Sequence, residues 1–220
     1  PPAIRWLKKR FRERIDSGSE RLNEIQAGKS ATPTMGGLFV VGSILLATIL
    51  WADLSNAYIQ AALFTAFAFA ALGAVDDWVK LSTKRNGLSI RQKLSVQMVL
   101  AAAVGYWLYR VQIDQAHGLE LIWPFGGYAL SLGAGFILWS AVVMVGSSNA
   151  VNLTDGLDGL ASGCTVFAGS AFVALAYLAG RSVMADYLSI PYLPGAGEVS
   201  IVLGAMVGAV LGFLWFNCYP

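Results

Sequence analysis

The stretch AYIQAALFTAFAFAALGAVDDWVK, residues 57–80, decides the fold. From Ala57 to Val75 it carries no charge, and Ala, Leu, Phe and Ile dominate. A membrane helix needs about 20 such residues, so an uncharged run of this length reads as a span. The run ends on Asp76 and Asp77, with Lys80 close behind. An Asp at the centre of a bilayer costs about 2.5–3.5 kcal/mol on insertion scales. The two carboxylates therefore belong at the interface or in a wet cleft.

Five more stretches share this character, at about 35–51, 94–109, 128–146, 159–180 and 199–216. Hydrophobic residues make up 56% of the 220, and charged residues only 13% against about 25% in soluble domains. Mean hydropathy is +0.61. Six such helices in one soluble chain would leave too little polar surface to face water. The fold class expected is all-α, a polytopic membrane helix bundle with six transmembrane helices. A disordered chain, a coiled coil and an ordinary soluble enzyme are excluded. Two Cys and one His argue against a disulfide scaffold and against a zinc or haem site.

The charges divide by side. If alternate connections share a face, 13 of the 15 Lys and Arg residues lie on one side, and the positive-inside rule makes that side cytoplasmic. Residues 1–34 form a cytoplasmic basic amphipathic segment and substrate loop. Residues 35–220 form the membrane domain, with cytoplasmic loops 76–93 and 147–158. Asp76, Asp77, Asp155 and Asp158 all fall on that same face. Residues 1–33 have no apolar core of a cleavable signal peptide. The chain reads as incomplete at both ends, starting on Pro1 and stopping at Pro220 after an apolar run.

Three motifs stand on the basic side. In the first, Asp76 and Lys80 are i, i+4 neighbours if the helix continues past the membrane boundary. Adjacent carboxylates repel unless a cation or a shared proton relieves them. Mg²⁺ prefers carboxylates and substrate phosphates, and Lys80, Lys84, Arg85, Arg91 and Lys93 nearby suit a phosphate-bearing substrate. The plainer reading is a solvated helix end against anionic lipid. In the second motif, NAVNLTDGLDG at 149–159, Asn152, Asp155 and Asp158 recur every third residue, with Gly156 and Gly159 allowing a tight turn. Asp155 or Asp158 can cap the following span, yet one Asp would suffice for that. The third motif, KSATPTMGG at 29–37, is extended at Thr32 because of Pro33, and Thr34 can cap the first span. Lys29 there suits a phosphate or the lipid headgroups.

Elsewhere the bland readings are favoured. His117 is a solvated loop residue on the far side, and Cys164 is a packing residue inside a span. Gly204, Gly208 and Gly212 form a small-xxx-small face that could seat a second copy of the chain as a homodimer. The pattern asks for a lipid bilayer as partner and for no nucleic acid.

Taken together, ATPTMGG (31–37), DDxxK (76–80), RNGLS (85–89), NLTDGLDGL (152–160) and GFLWFN (212–217) closely resemble, in order, the bacterial phospho-N-acetylmuramoyl-pentapeptide transferases. These belong to the polyprenyl-phosphate sugar-1-phosphate transferases, glycosyltransferase family 4. The resemblance runs from about residue 20 to Pro220. It implies transfer of phospho-MurNAc-pentapeptide from UDP-MurNAc-pentapeptide to undecaprenyl phosphate. The products are lipid I and UMP, made with Mg²⁺ on the cytoplasmic face of the bacterial inner membrane.

The resemblance also implies roles. Asp76, Asp77 and Lys80 match the catalytic group, with Asp76 and Asp77 also serving the metal. Lys93 matches a phosphate-holding residue. Asn152, Asp155, Gly156, Leu157 and Asp158 match the nucleotide-sugar site, to which Lys29 and Thr34 contribute. About ten membrane helices are implied, these six being the second to the seventh. A further metal-binding Asp is implied beyond Pro220, so the 220 residues alone would be inactive. Ala31 stands where the family usually has Gly. The competing readings are a sister GlcNAc-1-phosphate transferase, a transporter or channel, and a non-catalytic membrane scaffold. A transporter would place facing charges within the spans, and the sequence has none there.

Overall fold

The computed structural model describes residues 36–83, 87–123, 128–155 and 159–217, without the side chains of 216 and 217. Helix α1 is Gly36–Trp51, α2 Ala57–Ser82 and α3 Ile90–Gln112. Strands β1 (Glu120–Ile122) and β2 (Ala129–Ser131) follow, then α4 (Gly135–Thr154) and α5 (Leu160–Ala179). A short α6 (Ser182–Tyr187) and a 3₁₀ turn, Ala196–Glu198, lead into α7 (Val199–Asn217).

Local chemistry explains where the helices begin. Asn56 caps α2, its side-chain oxygen accepting from the N–H groups of Tyr58 at 2.9 Å and Ile59 at 3.4 Å. Ser89 and Gln92 form a reciprocal capping box at the start of α3. The N-cap position of α5 is Gly159 at φ +82°, with no side-chain cap bond, while Asp155 closes α4 as its C-cap. Asp155 is thus not the cap of the following span, and Asp158, the other candidate, lies outside the described residues. The turn demands a positive φ, which glycine adopts at no steric cost.

Five helices among the described residues are long and apolar enough to cross a membrane: α2, α3, α4, α5, and α7 with its preceding turn. The sixth, α1, is a shorter apolar helix of 16 residues. Large apolar side chains point outward, among them Phe67, Leu138, Phe167 and Trp215. In water that surface would be a liability. Against lipid it is the expected exterior, so the chain is an all-α multi-pass membrane bundle.

The expected span at 128–146 begins later. Residues 129–131 pair antiparallel with 120–122, Leu121 opposite Leu130, and α4 starts only at Gly135. Hydropathy alone could not separate a short apolar strand from the start of a helix. Cys164 also departs from expectation, since it is exposed on α5 rather than packed within the bundle.

Small residues set the helix spacings. Ala101, Ala141 and Val145 form a buried seam between α3 and α4, with Phe69 and Met144 against it. A side chain at Gly105 would come within 3.0 Å of the Ile137 carbonyl oxygen, so α3 and α4 approach closely. Gly169 does the same for α5 against Met206 and Val207 of α7. Such contacts replace the hydrophobic force that lipid cannot supply. At one end of the bundle the α1–α2 loop is tied to the α6–α7 connection. The Asp53 N–H donates to Glu198 at 3.0 Å and the Asn56 side chain to the Gly195 carbonyl at 2.9 Å. The acidic motifs lie at the other end.

Candidate functional site

Helix α2 does not stop at the charged pair. It continues to Ser82, so Asp76, Asp77 and Lys80 sit on one helical surface. The i, i+3 and i, i+4 spacing brings both carboxylates onto one ammonium. Lys80 Nζ lies 3.0 Å from Asp76 Oδ2 and 3.1 Å from Asp77 Oδ1.

Asp76 has partners beyond its own helix. Its residue is only 8% exposed, which a solvated helix end would not be. The Leu88 N–H donates to Asp76 Oδ1 at 2.8 Å. Lys93 Nζ, on the first turn of α3, stands 3.9 Å from Asp76 Oδ2. Leu88 reaches the carboxylate because Gly87 precedes it at φ +97°; a Cβ there would lie 2.6 Å from Asp76 Oδ1. Asp77 is more open and, among the described contacts, meets Lys80 alone. The arrangement holds two carboxylates and two ammoniums at one helix junction. Ammoniums there can neutralise phosphate oxygens, and a carboxylate there can accept a proton.

A cavity of about 140 Å³ opens next to this group. It is lined by Phe69, Leu72 and Gly73 of α2, Lys93 and Gln97 of α3, and Ser148, Asn149 and Asn152 of α4. Lys93 and Asn152, from two separate sequence motifs, therefore share one cavity wall. Asp155 is exposed at the end of α4, one turn beyond Asn152. Lys29, Thr34, Gly156, Leu157 and Asp158 lie outside the described residues.

Gln97, Ser148 and Asn149 were not singled out as site candidates. Gln97 is 3% exposed; its Oε1 accepts from the Asn149 side chain at 2.9 Å and its Nε2 donates to Ser148 Oγ at 3.4 Å. The signal available in the sequence was a polar amide inside an apolar span, which must find a partner within the protein.

For a divalent metal, the described residues offer the oxygens of Asp76 and Asp77. Among the described residues no group of three His, Cys, Asp or Glu converges. Mg²⁺ is commonly held by one or two carboxylates together with substrate phosphates and water, so this hard-oxygen pair fits that ion.

A family model described as glycosyl transferase family 4 matches residues 59–220. The chain is 44% identical over 224 residues to a phospho-N-acetylmuramoyl-pentapeptide-transferase of Oleidesulfovibrio alaskensis, covering 100% of this chain and 60% of that protein. It is also 44% identical over 209 residues to the protein of the same name from Koribacter versatilis, covering 87% of this chain and 55% of that protein. The chain thus spans somewhat more than half the length of these curated relatives. With the family model matched across most of its residues, the acidic pair included, the chain belongs to glycosyl transferase family 4.

Proposed function

We propose that the protein containing this chain transfers phospho-MurNAc-pentapeptide from UDP-MurNAc-pentapeptide to undecaprenyl phosphate. The products are lipid I and UMP, a step of peptidoglycan synthesis at the cytoplasmic face of the bacterial inner membrane. The observation that carries this reading is the junction where Asp76, Asp77, Lys80 and Lys93 meet at one end of an apolar bundle. The names of the two relatives support the transferred group, phospho-N-acetylmuramoyl-pentapeptide; the UDP donor and the lipid acceptor are what the motif resemblance implies.

In the reaction an oxygen of the lipid phosphate attacks the sugar-bearing phosphorus. A new P–O–P link forms, the link to UMP breaks, and UMP leaves with the electron pair. Both substrates are polyanions, so positioning and charge neutralisation dominate the barrier. Lys80 and Lys93 draw the phosphates to the junction. Asp76, engaged by Leu88, Lys80 and Lys93, holds those groups in place. Asp77, more open and bound to Lys80 alone among the described contacts, takes the proton of the attacking phosphate when that phosphate arrives protonated. Mg²⁺, held by Asp76 and Asp77, would supply further charge neutralisation. Asn152 and Asp155 serve the nucleotide sugar, and the resemblance gives the same role to Lys29, Thr34, Gly156, Leu157 and Asp158.

The complete protein, reconstituted with Mg²⁺ and undecaprenyl phosphate, should release UMP from UDP-MurNAc-pentapeptide and not from UDP-GlcNAc. UMP from UDP-GlcNAc alone would assign the chain to the GlcNAc-1-phosphate branch. No UMP from either would reject the reading.

A further inference from the structure

We infer that Gln97 is a positioning residue for Lys93: paired with Asn149, it fixes the register of α3 against α4 and so sets Lys93 opposite Asn152. The effect on turnover rests on the proposed transferase reading; the register does not.

The contact between α3 and α4 follows one row of residues on each helix. On α3 the row is Lys93, Gln97, Ala101 and Gly105; on α4 it is Ile137, Ala141, Val145 and Asn149. Both rows step by four, the spacing of neighbours on one helix face. The helices run in opposite senses. Gly105 meets Ile137, Ala101 packs with Ala141 and Val145, and Gln97 reaches Asn149. Apart from Gln97, Asn149 and Lys93, these rows hold only Ala, Gly, Ile and Val. Such rows let the helices approach closely, yet they carry little to tell one alignment from the next. Lipid supplies no hydrophobic force to choose between alignments.

The amide pair does choose. Gln97 Oε1 accepts from Asn149 Nδ2 at 2.9 Å, and Gln97 Nε2 donates to Ser148 Oγ at 3.4 Å. Asn149 Nδ2 also donates to the Val145 carbonyl at 2.8 Å, which holds that amide against its own helix. A slip by one row step, about 6 Å, would break both cross-helix bonds and leave the buried Gln97 amide against Ala and Val side chains. Among the described residues no other side-chain hydrogen bond or ion pair joins α3 to α4. A single buried polar residue that fixes register is the best-attested use of such groups between packed helices.

This clamp stands directly behind the site. Lys93, Gln97, Asn149 and Asn152 all line the same cavity. At 1.5 Å per residue, Lys93 lies about 6 Å beyond Gln97 and Asn152 about 4.5 Å beyond Asn149, both towards the charged junction. Any shift at the clamp is therefore carried to the ammonium of Lys93.

The register is tested first, on the complete protein and without substrate. Ile90 and Leu153 are exposed, at the start of α3 and near the end of α4. Spin labels on Ile90→Cys and Leu153→Cys, in an otherwise cysteine-free background, report the separation of these helix ends. Gln97→Met keeps the side-chain length and removes both hydrogen bonds. The interspin distance distribution should be single and narrow with Gln97, and shifted or broadened in Gln97→Met. An unchanged distribution overturns the inference. If Gln97→Met fails to fold, Asn149→Ala removes the same bond and decides by the same criterion.

Turnover then shows whether the clamp acts through Lys93. UMP release should fall about tenfold in Gln97→Met, because a misplacement of about 1 Å can cost up to about 100-fold. In a Lys93→Met background, followed at high enzyme concentration, the same substitution should change the residual rate by less than about twofold. A residue that only stabilises the fold would lower both backgrounds by the same factor. Equal falls in the two backgrounds, or no fall with Lys93 present, overturn the positioning role. If the distances shift as expected but no sugar nucleotide yields UMP from the unsubstituted protein, the transferase reading fails and the register assignment stands.

Discussion

Asp76 and Asp77 are neighbours in sequence with different surroundings. Asp76 is enclosed by a backbone N–H and two lysines, whereas Asp77 shares one lysine and stays open. Replacing Asp77 by Asn removes a carboxylate from an accessible place, and UMP release should fall about 100-fold or more with the melting temperature nearly unchanged. Gly87→Ala tests the turn that presents Leu88. A Cβ at φ +97°, 2.6 Å from Asp76 Oδ1, cannot stay where it is, so the turn must shift. Activity should drop while the apolar bundle keeps its helicity, as read by UMP assay and circular dichroism. The pairing of Asp76 with Lys80 was legible from spacing alone. The contacts of Leu88 and Lys93 with Asp76 were not, because they depend on how the α2–α3 turn folds back.

Among the elements, α2 shows how caps and contacts divide the work. Asn56 both caps the helix and binds Gly195 across the bundle end. Asn56→Ala should destabilise the protein by about 1 kcal/mol or somewhat more, measured as a lowered thermal transition. Beside it, the Ser55 hydroxyl and then the Ser55 N–H hold the Asp53 carboxyl below the usual carboxylate range. A carboxyl lowered on folding stabilises above its unfolded value and loses that contribution as pH falls through the folded one. The support this loop gives should therefore fade only in acid below the ordinary carboxylate titration, and Asp53→Asn should remove the dependence. Helix spans were readable because uncharged runs of about 20 residues have few alternatives. The hairpin at 120–131 was not, since three-residue strands carry no periodic signal. The start of α5 was legible only in part: Gly159 stands at its N-cap position with a positive φ, Asp155 ends α4, and Asp158 lies outside the described residues.

At the scale of the whole molecule, the two ends of the bundle differ in kind. One end is tied by neutral and acidic loops, at Asp53, Asn56, Gly195 and Glu198. The other gathers Asp76, Lys80, Lys93 and Asn152. In a background lacking Cys164 and Cys218, an impermeant maleimide should label Ser82→Cys and Thr154→Cys from one side of sealed vesicles and Asp114→Cys from the other. Labelling of Ser82→Cys and Thr154→Cys from opposite sides would dismantle the proposed site. The distribution of Lys and Arg had already implied this sidedness. The joining of two distant motifs through one cavity had no sequence counterpart, because no spacing pairs Gln97 of α3 with Asn149 of α4, 52 residues further on.

The carboxylate of Asp76 is also a fastening, since the backbone at Leu88 is pinned to it. Chemistry and architecture at that atom are consequently entangled, and no one substitution reports on either by itself. An asparagine retains a carbonyl oxygen for the pin and discards only the charge; an alanine discards both. The gap between those two variants measures the mechanical share of what would otherwise be credited wholly to catalysis.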